Sequence, residues 1–79
     1  MFINLPEKLI FVGDRCIQEN QLGYALKAYE LANDKEKLSA LGDVCLRENL
    51  FTMALQAYKL ANNEMMIQFI KENFAHKIG

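Results

Sequence analysis

The sequence predicts an all-α fold, a stack of helical hairpins containing five helices. Three observations predict it. Apolar residues recur at helical spacing along the chain, as in Leu9, Val12 and Cys16 and again in Leu38, Leu41 and Cys45. One segment of 29 residues occurs twice in register. With one Pro and four Gly among 79 residues, there is little room for long irregular loops. Strands would require alternation at every second residue. The run Ala25 to Ala32 (ALKAYELA) does not alternate.

The duplication decides the architecture. Gly13–Asn33 (GDRCIQENQLGYALKAYELAN) falls on Gly42–Asn62 (GDVCLRENLFTMALQAYKLAN), and Asn4–Leu9 falls on Asn33–Leu38. Between residues 4–32 and 33–61, 15 of 29 positions are identical. A third copy starts at Asn62 and stops halfway, with Ile67 at the place of Leu9 and Leu38, Ile70 at that of Val12 and Leu41, and Phe74 at that of Cys16 and Cys45. The chain therefore divides into repeats 4–32 and 33–61 and a half repeat 62–79, all in one α-solenoid domain over residues 1–79. In such an array each unit covers its apolar face with its neighbour. A plain helical bundle of repetitive sequence is the alternative.

Each unit reads as two helices. The first opens on Asn-x-x-Glu (Asn4/Glu7, then Asn33/Glu36), where the Asn side chain can accept from a free first-turn amide. Pro6 suits a first helical turn. That helix ends near Glu19-Asn20 and Glu48-Asn49. The hinge Glu19-Asn20-Gln21 is so short that the next helix must run back antiparallel. The second helix carries Leu22, Ala25, Leu26, Ala28, Tyr29 and Ala32, matched by Phe51, Ala54, Leu55, Ala57, Tyr58 and Ala61. A last helix covers roughly Asn63 to His76. Asn20, Asn33, Asn49 and Asn62 cap or terminate helices. Gly13 and Gly42 lie mid-helix, where Gly costs about 1 kcal/mol against Ala. Duplicating that cost implies close approach of the paired helix, with Tyr29 and Tyr58 filling the gap between hairpins.

Charge and composition exclude several functions. Nine basic and ten acidic residues give a net charge of −1, without the basic footprint of a nucleic-acid binder. No Lys/Arg run suits anionic lipid, and no apolar run approaches the ~18 residues of a membrane span. The start lacks the basic region of a signal peptide. A cytoplasmic protein is expected, with neither nucleic acid nor membrane as partner. Cys16 and Cys45 occupy equivalent places on the apolar stripe and read as small core hydrophobes, one whole repeat apart and too distant for a disulfide. The single His76 has no ligand set nearby and answers the helix dipole. There is no phosphate loop, nucleophile motif or apolar pair of carboxylates. Neither catalysis nor a cofactor or metal is expected.

Leu41-Gly42, Ala54, Tyr58 and Ala61 resemble the tetratricopeptide pattern, as do Val12-Gly13, Ala25, Tyr29 and Ala32 one unit earlier. The resemblance covers about residues 5–75. The family period is about 34 residues, and here it is 29. The loss falls after the second helix, where LANDKEKL runs directly into the next one. The Pro expected there and the aromatic near the start of the first helix are missing. At this spacing the chain is also similar to hairpin segments of coatomer-type solenoids. The resemblance implies a right-handed stack of two and a half tetratricopeptide-like repeats, a scaffold for protein–protein interaction without common catalytic machinery.

It also implies an inner surface lined by the first-type helices. There Glu7, Asp14, Glu36, Asp43 and Glu72 would form an acidic strip, with Ile10, Ile17, Leu46 and Gln68 among them. Such a strip suits a protein or peptide partner with basic residues and apolar anchors. The other reading of these residues is a solvated face with local pairs such as Asp43–Arg47. The ends carry a second signal. The last helix has one apolar side (Met66, Ile67, Ile70, Phe74) and one polar side (Gln68, Lys71, Glu72, His76), with Met65, Phe69 and Ile78 left over. The start carries Phe2, Ile3, Ile10 and Phe11. Apolar ends imply association of copies or docking on a larger assembly. Two functions follow: an adaptor that uses the acidic strip, and an assembly element that uses its ends.

Overall fold

Asparagine punctuates the chain. Asn20, Asn33, Asn49 and Asn62 all take left-handed backbone, with φ of 59°, 54°, 62° and 57°. Asn tolerates this region better than other side chains, so each one ends a helix where it stands. In the computed structural model, which describes residues 4–78 and the side chains of 4–77, five helices result. They are α1 (Leu5–Gln18), α2 (Leu22–Ala32), α3 (Lys35–Arg47), α4 (Phe51–Leu60) and α5 (Glu64–Ile78), and there is no strand among the described residues. After α1 and α3 the backbone folds back on itself. Gln21 N–H donates to the Cys16 carbonyl at 2.7 Å, and Leu50 N–H to that of Cys45 at 2.8 Å. These bonds satisfy carbonyls that a helix end leaves free.

The first-type helices each begin on a side-chain cap. Asn4 accepts from Glu7 N–H at 3.2 Å, Asp34 from Lys37 N–H at 3.0 Å and Asn63 from Met66 N–H at 3.2 Å. The second cap departs from expectation by one residue. The repeat pattern has Asn33 opening α3, but its left-handed backbone closes α2, and Asp34 takes over the cap. The last helix runs past His76 to Ile78 across a kink at Phe74 (φ −132°, ψ 21°). The Phe74 ring stacks on Phe51 of α4 at 4.6 Å between centroids and meets Phe69 edge-on at 5.8 Å.

Helices pack on their chain neighbours, with a lighter contact between α2 and α4, and the molecule measures 50 × 24 × 15 Å. The core runs along the stack through Leu22, Ala25 and Tyr29, then Leu38, Leu41 and Cys45, then Ala54, Tyr58, Ile67 and Ile70. Ile67 and Ile70 are thus buried where the repeat alignment puts them. Cys16 and Cys45 are free thiols. Cys45 is completely buried, and burial pushes its thiol pKa up, as befits a core residue.

The duplicated glycines have a specific cause. A methyl group on Gly13 would collide with the Tyr29 ring, and one on Gly42 with the Tyr58 ring. The tyrosines therefore lie inside their own hairpins, over the glycine of the paired helix. This corrects the expectation that they fill the gap between hairpins. Tyr29 Oη donates to Asp14 Oδ1, and Tyr58 Oη to Asp43 Oδ1. Each buried phenol thus keeps a partner for its polar end.

These phenols set an alkaline limit. Burial first, and the facing carboxylate second, hold both tyrosines well above the ordinary value of 10.0. A raised folded-state value contributes stability that is intact below the unfolded value and is lost as pH rises through the folded one. The melting temperature should therefore hold steady up to about pH 10 and fall above it, as tyrosines in the unfolded chain ionise. Circular-dichroism melts between about pH 8 and pH 12 check this. In the double variant Tyr29→Phe/Tyr58→Phe the alkaline fall should shrink. An unchanged fall in that variant would assign it to other groups.

Candidate interaction surface

Three first-type helices, α1, α3 and α5, each turn one stripe to solvent. Matched repeat positions give Glu7, Glu36 and Met65 in one row, Phe11, Ala40 and Phe69 in the next, and Asp14, Asp43 and Glu72 in a third. The first two rows are exposed throughout. In the third row only Asp14 is half-buried.

Around α3 this stripe becomes an open groove of about 550 Å³, between α3 and the start of α5. Glu36 and Asp43 line it with Glu64, and Lys35 is the one cation beside them. Ser39, Ala40 and Asn63 also line it, and Asn63 Nδ2 donates to Ser39 Oγ at 3.2 Å, tying the two walls together. Asp43 holds the Tyr58 hydroxyl with one oxygen. The local pair Asp43–Arg47 does not form. The i,i+4 ion pair on a first-type helix is instead Arg15–Glu19 at 3.2 Å.

Asp14 has a structural task. Its carboxylate accepts from Tyr29 of its own hairpin and from Lys37 Nζ of the next, the latter at 3.1 and 3.4 Å. The Tyr29 hydrogen bond does most to hold its carboxyl below the ordinary 3.8; partial burial opposes, and Lys37 adds to the lowering. Lys37 thus latches the second hairpin to the first through a residue that already orients Tyr29. The Asp14 charge is spent internally. A smaller hollow of about 310 Å³ beside it is lined by Phe11, Asp14, Arg15 and Gln18.

The remaining predicted positions scatter. Ile10, Ile17 and Leu46 are half-buried against the core, so their side chains support the hairpins more than they face the stripe. Glu7 is exposed in the first turn of α1. On α5, Gln68 Nε2 donates to Glu72 Oε2 at 3.1 Å, an exposed local pair. The exposed apolar groups of this face are instead Phe11, Met65 and Phe69, at 66%, 78% and 42% exposure. Sequence reasoning placed all three at the chain ends and missed their place on the stripe. It also missed Lys37 and Glu64. The signal for Phe11 and Phe69 was present, since the shift of one repeat puts them in register one residue from the predicted row. No local pattern linked Lys37 to Asp14, which lies 23 positions away.

Among the described residues, no three His, Cys, Asp or Glu side chains converge as a metal-ligand set. No described helix is long and apolar enough to cross a membrane. Phe2 and Ile3, and the side chain of Ile78, lie outside the described residues. Compared with models of known protein families, with curated proteins and with solved structures, the chain matches none.

Proposed function

We propose that this chain is a non-catalytic protein-interaction module, a right-handed α-solenoid of tetratricopeptide-like hairpins that holds a basic partner segment on its first-helix face. One observation carries the reading: Glu36, Asp43 and Glu64 share a single open groove with only Lys35 beside them. A lysine- or arginine-bearing strand laid there would meet carboxylates along its length. Phe11 and Phe69, exposed on the helices to either side, offer flat apolar area for its anchors. Carboxylates around an exposed groove act mainly on encounter rate and selectivity, and binding should weaken with added salt.

The test is a peptide array of basic, neutral and acidic segments, read with the native chain and with Glu36→Lys/Glu64→Lys. Both positions are exposed, so the variant should fold. Exposed pairs contribute up to about 1 kcal/mol each. The double reversal should therefore weaken basic-peptide binding about tenfold or more. Asp14 is a poor site for this test, because its reversal would also break the Tyr29 and Lys37 contacts. If basic peptides are not enriched over neutral ones, or the reversal changes nothing, the groove reading falls.

A second reading, assembly through an end of the stack, has its own support. Val12, Tyr24 and Leu31, on the two helices of the first hairpin, are 48%, 71% and 63% exposed.

A further inference from the structure

The second hairpin displays what the first one lacks. Leu38, Leu41 and Cys45 on α3 are 2%, 0% and 0% exposed, and α2 packs against that helix. Ile67 and Ile70 on α5 are likewise buried, and α4 packs against it. At the matching places on α1, Leu9 and Cys16 are only half-buried and Val12 is exposed. The second-type helices repeat the contrast. Met53 and Leu60 of α4 are half-buried, and α4 touches α2, whereas their counterparts Tyr24 and Leu31 are open. One face of the first hairpin thus carries the row of apolar residues that, in the second hairpin, seats a preceding unit.

Charge repeats the same logic. Lys37 reaches back to Asp14 of the preceding hairpin. Lys8, its counterpart on α1, is exposed. Arg15 stands where α3 has Val44, adding a second cation at this edge, though paired with Glu19. The face therefore calls for apolar contact at its centre and a carboxylate opposite Lys8.

Resting on the assembly reading, we propose that this face of α1 and α2 is a socket for a further α-solenoid hairpin, whose second helix presents apolar residues and whose first helix presents a carboxylate to Lys8. That occupant is the kind the chain itself seats: α2 packs on α3, its Leu22, Ala25 and Tyr29 sharing one core with Leu38, Leu41 and Cys45, while Asp14 meets Lys37. A second copy does not supply it. The one second-type helix near the far end, α4, is already covered by α5. On α5, Lys71 replaces the glycine that a Tyr-bearing helix would need.

The test uses the full chain extended at its N-terminus by a copy of its own residues 4–32, the added cysteine changed to Ser. Thiol labelling of Cys16 is the readout, with buried Cys45 as the internal reference. In the extended chain Cys16 should label at least tenfold more slowly than in the native chain, approaching Cys45. Either Val12→Lys in the native part or Asp14→Lys in the added copy should restore most of its reactivity. Labelling of Cys16 at the native rate in the extended chain overturns the socket. Sedimentation of the native chain separates the other outcomes. Self-association abolished by Val12→Lys makes a second copy the occupant, which overturns this proposal and keeps the assembly reading. Self-association that survives Val12→Lys, with Cys16 unprotected in the extended form, overturns this socket and leaves the assembly reading standing. A strictly monomeric chain with Cys16 unprotected in the extended form overturns both.

Discussion

Leu41→Ala is expected to destabilise the chain by about 3 kcal/mol, while Val12→Ala, the same repeat position one unit earlier, should cost less than about 1 kcal/mol. Leu41 is fully buried on α3, the helix that α2 packs against, and Val12 is 48% exposed. Truncating a sealed leucine loses its transfer free energy and leaves a cavity whose walls cannot fully close. Truncating a half-wet valine leaves a dent that water fills. A domain of this size has only a few kcal/mol in reserve. Leu41→Ala should therefore leave a measurable unfolded population at room temperature, and Val12→Ala a near-native midpoint. Urea unfolding of both variants decides it. Equal losses would mean that the two hairpins are covered alike, contrary to the burial pattern.

Gly42→Ala should cost about 2 kcal/mol, although Ala is the better helix former. The new methyl would overlap the Tyr58 ring, and the ring cannot swing aside without losing the hydrogen bond from Tyr58 Oη to Asp43. Overpacking costs about 1 to 3 kcal/mol. A hydrogen bond to a charged partner is worth about 1.5 to 3 kcal/mol when fully lost, and less here because Asp43 is exposed. Against these, the helix gains back about 1 kcal/mol of propensity. A double-mutant cycle with Tyr58→Leu isolates the cause. With the ring gone, Ala at position 42 should be neutral or stabilising. A full penalty that persists in the Tyr58→Leu background would remove the ring from the explanation.

The helices were legible in the sequence because their determinants are local. Apolar spacing, asparagine stops and a short hinge each act within a few residues, and duplication let each be read twice. The cap at Asp34 was misjudged because Asn33 is both the last residue of one pattern and the first of the next; only the left-handed backbone decides which. The placement of Tyr29 and Tyr58 was misjudged for a different reason. A glycine announces that something comes close, yet not which side chain does. The groove was legible in part. Glu36 and Asp43 were named from their shared face, but Glu64 opens α5 and joins them only through tertiary packing. Asp14 carries the same sign as Asp43 at the matching repeat position, and its pairing with Lys37 depends on how two hairpins meet.

Helix-on-neighbour packing along a 50 Å molecule also sets how the chain finds its shape. The main contacts join segments that follow one another, so no distant parts must meet before stabilisation begins. The entropy lost at each step is that of a short loop, and such low contact order favours rapid folding. The same economy lets each terminus fray and re-form while the middle stays intact.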